Sequence, residues 1–279
     1  MATTTKKRKK PTSSATRKKA KKKNGGKKNS KTVITLILCA AILSIIAAGV
    51  FIITQGSKPA KNNPAPLKGE VAWGIDVSNH NGKINWKKVS EKAEFAFIRV
   101  GARGYSQGEI YPDTTYKYNL KHAEKYGVPA GVYFYSQATN EKEAREEADF
   151  ALKAIKGYSV SLPVVIDFEY PTVNGSHAGR LFNAGLTKKE RTAVINAFCD
   201  RVRKAGYTPG IYASSYIYRT ELNMKDIPDD VFIWVADYNK EVTYTGYYDI
   251  WQYSETGSCS GIKGNVDTNH FYIKNRKSK

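Results

Sequence analysis

One segment decides how much of this chain is left to fold as a globular body: Thr32 to Thr54 is 23 consecutive residues without a charge. At 1.5 Å per residue a helix of that length reaches roughly 35 Å, enough to cross a hydrocarbon core of about 30 Å. Fourteen Lys and Arg and no acidic residue precede it, in residues 1–31. A secretory signal usually carries an apolar stretch of about 7–15 residues before a small-residue cleavage site, so the longer run reads as an uncleaved anchor. The positive-inside rule then places residues 1–31 in the cytoplasm and everything after Gly56 outside, a single-pass protein of the cell membrane. The tail is rich in Ser, Thr and Gly, is expected to be disordered, and belongs against anionic lipid. The whole chain has 45 Lys and Arg against 25 Asp and Glu, a balance that spread evenly would suggest a nucleic-acid partner. Fourteen of those bases sit in the tail, which leaves 31 basic against 25 acidic residues elsewhere, and no nucleic-acid role is expected.

Residues 55–70, QGSKPAKNNPAPLKGE, hold three prolines and read as a semi-rigid spacer. From residue 71 to 279 the composition is that of one globular domain. Short apolar runs with strand character recur there: VAWGIDVS, EFAFIRVG (94–101), AGVYFYS (130–136), LPVVIDFEY (162–170), PGIYAS (209–214), VFIWVADY (231–238) and YDIWQYS (248–254). Helical patterns lie between several of them. Thr114–Tyr126 stops at Gly127, Asn140 to Ile155 opens with Asn140 and Glu143 at capping-box spacing, and Thr187–Ala205 opens with Thr187 and Glu190 at the same spacing. Apolar strands alternating with helices imply parallel pairing buried on both faces, and seven or eight of them imply a (β/α) barrel of TIM type. A doubly wound open sheet is the alternative. The connections 238–247 and 254–265 leave no room for full helices, so the barrel is expected to be irregular.

In VVIDFEY, Asp167 and Glu169 lie two apart at the carboxyl end of a strand. Side chains two apart share a face, about 6–7 Å from one Cα to the next. In a barrel that face is the interior, and that end is the mouth where active sites form. Two semi-buried carboxylates so close do not both ionise freely: one is expected to hold a proton as an acid while the other stays charged, which is the arrangement that glycosidic cleavage requires. A surface acid pair at a strand end is the alternative for the motif alone. Asp76 follows the first strand and Asp267 lies in GNVDTN, and the four acids converge only if the sheet closes.

Tyr133, Tyr135, Tyr212, Trp251 and Tyr253 fall on strands, with Tyr133 and Tyr135 sharing one face and Trp251 and Tyr253 sharing another; as a group at strand ends they are candidate sugar-ring contacts, although core packing suits each one singly. His80 and His270 follow the outlying aspartates and are within reach of the mouth. The histidines have no metal-ligand spacing, the three cysteines form no thiolate cluster, and neither a GxSxG nor a phosphate-binding glycine motif occurs, so neither metal nor cofactor is expected. Outside the apolar run only Cys199 and Cys259 remain as a disulfide pair, and nothing in the sequence fixes their distance.

Taken together, GIDVSNHNG (74–82), AGVYFYSQA (130–138), VVIDFEY (164–170), GIYAS (210–214) and WQYSETGSCSGIKGNVDTN (251–269) resemble glycoside hydrolase family 25, the Chalaropsis-type lysozymes, over Ala72–Tyr272. The resemblance implies an irregular, flattened α/β barrel. It also implies hydrolysis of the β-1,4 bond between N-acetylmuramic acid and N-acetylglucosamine in peptidoglycan glycan strands; the domain is expected to be a monomer. On it, Glu169 is the general acid, and Asp167 is either a direct nucleophile or the carboxylate that orients the substrate's own N-acetyl group; both give retention. Asp76 and Asp267 match the aspartates of the family's opening strand and terminal VDxN. The loop after Glu169, PTVNGSHAGRLFNAG, departs from shorter versions and leaves the shape of the cleft open. Two other readings compete with a membrane-anchored muramidase: a non-catalytic wall-binding or division-scaffold protein on the same fold, and a chitinase-like enzyme. The intact acids speak against the first, and the apolar Val164, Val165 and Ile166 before Asp167 speak against the second.

Overall fold

A computed structural model describes residue 67 and residues 69–273. The basic tail, the apolar run 32–54 and most of the spacer lie outside the described residues; among those described, no helix is long and apolar enough to cross a membrane.

Eleven strands follow in chain order: β1 (Val71–Val77), β2 (Phe95–Arg103), β3 (Ile110–Pro112), β4 (Ala130–Ser136), β5 (Val164–Phe168), β6 (Thr172–Val173), β7 (Ser176–His177), β8 (Pro209–Ser214), β9 (Phe232–Ala236), β10 (Ile250–Gly257) and β11 (Val266–Tyr272). The main sheet runs β1-β11-β10-β9-β8-β5-β4-β2, with β3 added at the side of β2. A further pairing of β1 with β2 closes it into an eight-stranded barrel, so the open-sheet alternative falls. All seven strands read from the sequence are present.

The expectation of uniformly parallel strands is corrected at one strand of the barrel itself, and the short β3 also runs antiparallel beside β2. β11 runs antiparallel to both of its neighbours, β1 and β10. The physical reason is the short 258–265 connection: without a crossover helix the chain returns directly, and a direct return reverses the strand.

Helices at Tyr116–Lys125, Glu141–Ala154 and Lys188–Lys204 pack outside β2, β4, β5 and β8. Thr187 and Glu190 cap the last of these reciprocally, as their spacing implied. Asn140 accepts from Glu143 N at 3.0 Å, but the Glu143 carboxylate turns to Thr139 N and Arg180 instead of closing the box.

The barrel lumen below the mouth is filled by Phe95, Phe97, Phe232, Trp234 and Phe271, which meet mostly edge to face. Each such side chain withdrawn from water contributes about 1.5–3 kcal/mol. Glycine makes the space for them. A Cβ on Gly131 would lie 2.3 Å from the Phe97 ring and one on Gly74 would lie 2.5 Å from Phe95. Cys199 and Cys259 are both buried and free, so the pairing considered between them is not formed.

Candidate active site

Register brings the site together. Asp167 on β5 is paired with Tyr135 on β4 and with Tyr212 on β8, and Tyr212 with Trp234 on β9, so four strands place one row of side chains at the same height. One step deeper, Arg99 on β2 pairs with Tyr133. Asp76, near the end of β1, is paired with Asp267 at the start of β11. Asp267 therefore reaches the mouth because its strand runs backwards. A cleft of about 680 Å³ opens over this row, lined by Asp76, Asp167, Glu169 and Asp267 together with Tyr133, Tyr135 and Tyr212.

Two predicted contacts are not there. β10 turns Gln252 inward, and strand alternation sends Trp251 and Tyr253 to the outer face. Trp251 donates its indole N–H to the carbonyl of Asp237 at 2.6 Å, and Tyr253 stacks on His270 with ring centroids 4.5 Å apart. His270 thus also leaves the mouth, whereas His80 lines it.

Residues that the sequence reading did not assign to the site complete its surroundings. Gln252 Nε2 and Asn269 Nδ2 both donate to Asp76 Oδ2, at 2.9 and 2.8 Å. Groups that can only donate, or that are placed to donate, fix the orientation of these amides. Trp234 Nε1 donates to Asn269 Oδ1 at 2.8 Å, and the hydroxyls of Tyr212 and Tyr238 both donate to Gln252 Oε1 at 2.8 Å. Arg99 is held by Asp113 at 3.0 Å and by Asn79. Glu255 adds a fifth carboxylate at the rim. Partner amides of this kind carry no sequence motif; strand parity opposite Asp76 was the one signal available.

The electrostatics follow from burial and crowding. Burial, then the charge of Asp76, pushes Glu169 up to about 7, with Arg99 opposing. Asp167 also lies well above the ordinary carboxylate range, through burial and then the charge of Glu169, again with Arg99 opposing. Desolvation thus raises both carboxyls of the motif. Asp267 is pushed up to about 9 by burial and by Asp76, and the two share a hydrogen bond. One oxygen of Asp167, Oδ1, is buried with no hydrogen-bond partner. A buried acceptor without a donor costs about 1–3 kcal/mol, so this oxygen is an uncompensated penalty built into the site.

A raised carboxyl alone does not mark the site. Glu147 also reaches about 7 through burial, yet Arg103 at 2.7 Å, Ser136 at 2.6 Å and the Gln137 amide at 3.3 Å satisfy it away from the cleft. Among the described residues no group of three or more His, Cys, Asp or Glu is arranged to hold a metal ion.

A closed barrel with several acids and neutral tyrosines gathered over its carboxyl-terminal mouth has the form of a glycosidase site. Residues 75–262 match the family model described as "Glycosyl hydrolases family 25", and the chain belongs to that family. It is 27% identical over 206 residues to an autolytic lysozyme of Clostridium acetobutylicum, an alignment covering 71% of this chain and 55% of that protein. To lysozyme M1 of Streptomyces globisporus it is 29% identical over 227 residues, covering 77% of this chain and 73% of the other. Among solved structures, the modular autolysin LytC of Streptococcus pneumoniae in complex with a synthetic peptidoglycan ligand is 30% identical, with a TM-score of 0.61. That match covers 76% of this chain and 49% of the autolysin, so this chain spans about half the length of the clostridial and pneumococcal proteins it matches.

Proposed function

We propose that this protein hydrolyses peptidoglycan at the β-1,4 bond between N-acetylmuramic acid and N-acetylglucosamine, with net retention. The observation that carries the reading is the pair of carboxyls Asp167 and Glu169 lining one cleft, with Glu169 poised near neutrality. Family membership and the resemblance to lysozymes support the substrate.

In the proposed reaction Glu169 gives its proton to the glycosidic oxygen as the C1–O bond breaks. Positive charge growing at C1 is met either by the Asp167 carboxylate directly or by the carbonyl oxygen of the substrate's 2-acetamido group, whose N–H is received by Asp167. Water then attacks C1 and returns a proton to Glu169, which restores the acid. Asp76 and Asp267 share a proton on the opposite wall and add negative potential where the sugar becomes cationic. Tyr133, Tyr135 and Tyr212 remain neutral phenols, because burial pushes their pKa further above physiological pH, and they present rings and hydroxyls to the sugar.

The test is to incubate the protein with purified peptidoglycan and identify the new reducing ends. Muramic acid ends are expected, with the β anomer appearing first. Glucosamine ends would refute the bond assignment, initial α anomer would refute retention, and no new ends would favour a non-catalytic wall-binding protein.

The proposal includes a membrane anchor at residues 32–54, with residues 1–31 cytoplasmic, 55–70 a spacer and 71–279 a monomeric catalytic domain on the wall side. What supports it is the charge-free run behind 14 bases. Protease added to intact protoplasts is expected to digest the domain and spare the tail. A protected domain would overturn the orientation, and a soluble form starting near residue 50 would show a cleaved signal instead.

A further inference from the structure

β5 stops being paired one residue before the general acid: the last rung to β4 joins Ser136 to Phe168, and Glu169 lies beyond it. Left there, the backbone that carries the acid would be free to swing, and proton transfer depends steeply on the position of the donor. A side chain takes over where the ladder ends. Gln137, the first residue after β4, is fully buried, and its Nε2 donates to the carbonyl oxygen of Glu169 at 3.1 Å and to that of Ser136 at 2.9 Å.

Gln137 is itself held from three sides. Its Oε1 accepts from Leu181 N at 3.4 Å. Its carbonyl accepts from Arg180 Nη1 at 2.8 Å, and Arg180 is clamped by both oxygens of Glu143 at 2.8 Å. Its own N–H donates to the buried Glu147 carboxylate, which is paired with Arg103. Leu181 and Arg180 belong to the long loop after Glu169, which folds as the β6–β7 hairpin and a short helix, Gly179–Asn183. Gly179 lets that loop approach: at φ +88° a Cβ there would lie 3.0 Å from Gln137 Oε1 and 2.8 Å from Pro171.

We propose that Gln137 is a positioning residue for the acid, an amide rung that replaces the missing strand pairing and ties the Glu169 backbone to β4 and to the Arg180 loop. The inference rests on Glu169 being the acid, as proposed above. Gln137 touches neither substrate nor reacting atoms; it acts through the carbonyl of Glu169. A role confined to fold stability would lower activity on every substrate alike. A role in placing the proton donor lowers it only where the leaving group needs a proton.

The experiment measures Gln137→Met and Gln137→Asn on two substrates: peptidoglycan, and a β-linked N-acetylhexosamine oligosaccharide with a dinitrophenyl leaving group. Methionine keeps the volume without the donor; asparagine keeps an amide but shortens its reach, in case the buried thioether fails to fold. For both variants kcat on peptidoglycan is expected to fall about tenfold with KM within about twofold. The loss on the aryl substrate is expected to stay within about twofold. The ratio of the two losses does not depend on the fraction of folded enzyme. Equal losses on both substrates, or no loss on either, would overturn the inference. Glu169→Gln is run alongside: if the aryl substrate fails to rescue that variant, the acid assignment falls first and this inference with it. If it is rescued while the Gln137 variants lose activity equally on both substrates, only this inference falls.

Discussion

The two acid pairs at the mouth are built in opposite ways. Asp76 and Asp267 sit on neighbouring antiparallel strands, bonded to each other, with two amides donating to a single oxygen of Asp76. Asp167 and Glu169 come from one strand end, repel each other, and leave one buried oxygen of Asp167 without a partner. Both pairs are strongly desolvated, so burial does not distinguish them. What differs is satisfaction: one pair has its hydrogen bonds already, while the other keeps capacity for a substrate. On the proposed reaction, the mouth separates a wall that sets potential from a wall that does chemistry, using the same residue types.

Breaking the unsatisfied pair has the largest expected effect. Glu169→Gln keeps shape but removes the transferable proton, so kcat on peptidoglycan should fall by about 10²–10⁴ with wall binding retained. An aryl substrate that needs little protonation should restore much of this loss. Asp167→Asn should be comparably severe on peptidoglycan, since the developing charge loses its counter-ion, and should be restored little. Equal restoration of both variants would mean that the two roles are assigned wrongly.

A smaller effect is expected on the satisfied pair. Asp76→Leu removes the oxygen that accepts from Gln252 and Asn269, which leaves two buried amide donors without an acceptor. A stability loss of about 1–3 kcal/mol by denaturant titration and a drop in kcat of roughly tenfold should follow. If Asp76→Leu instead matches Glu169→Gln in kcat without loss of stability, the contrast between the walls is wrong.

The pH dependence sharpens the same contrast. With its proton held until about pH 7, Glu169 can act as an acid only below that point, so kcat should decline as pH rises through about 7. For stability, the native state binds more protons than the unfolded chain between the ordinary glutamate value of 4.5 and about 7. Stability must then fall as pH rises across that window. Glu169→Gln removes this penalty and should stabilise the protein at pH 8 by on the order of 1–3 kcal/mol while abolishing most activity. A variant less stable than the parent at pH 8 would show that the buried carboxylate is compensated by contacts other than those described. The smallest effect expected is from chelation: activity in EDTA should stay within error of the control, and a loss restored by magnesium or zinc would point to a metal held by the acids.

Much of the site was legible because its signals are local. The DxE spacing fixed Asp167 and Glu169 to one face, and Thr187 with Glu190 announced a helix start that the structure reproduces. Strand-end position also singled out Asp76 and Asp267, and the family resemblance matched them to its own aspartates. What escaped were residues whose role depends on who stands opposite. Gln252 and Asn269 have no motif, and Gln137 is an amide whose partner is 32 positions away. Trp251 and Tyr253 were placed on a common face correctly and at the mouth wrongly, because period-two alternation says which residues agree and not which way they point.

The sequence by itself determined seven of the eight barrel strands, the charge-free run with its basic flank, and the acid pair, since each depends on contacts or periodicities within a few residues. Tertiary structure alone decided the direction of β11, the inward turn of Gln252, and the pairing of Asp76 with Asp267. Those depend on barrel closure, a condition met between the first and last strands of the domain, where the burial of one face is chosen by all eight strands at once and by no single stretch of the chain.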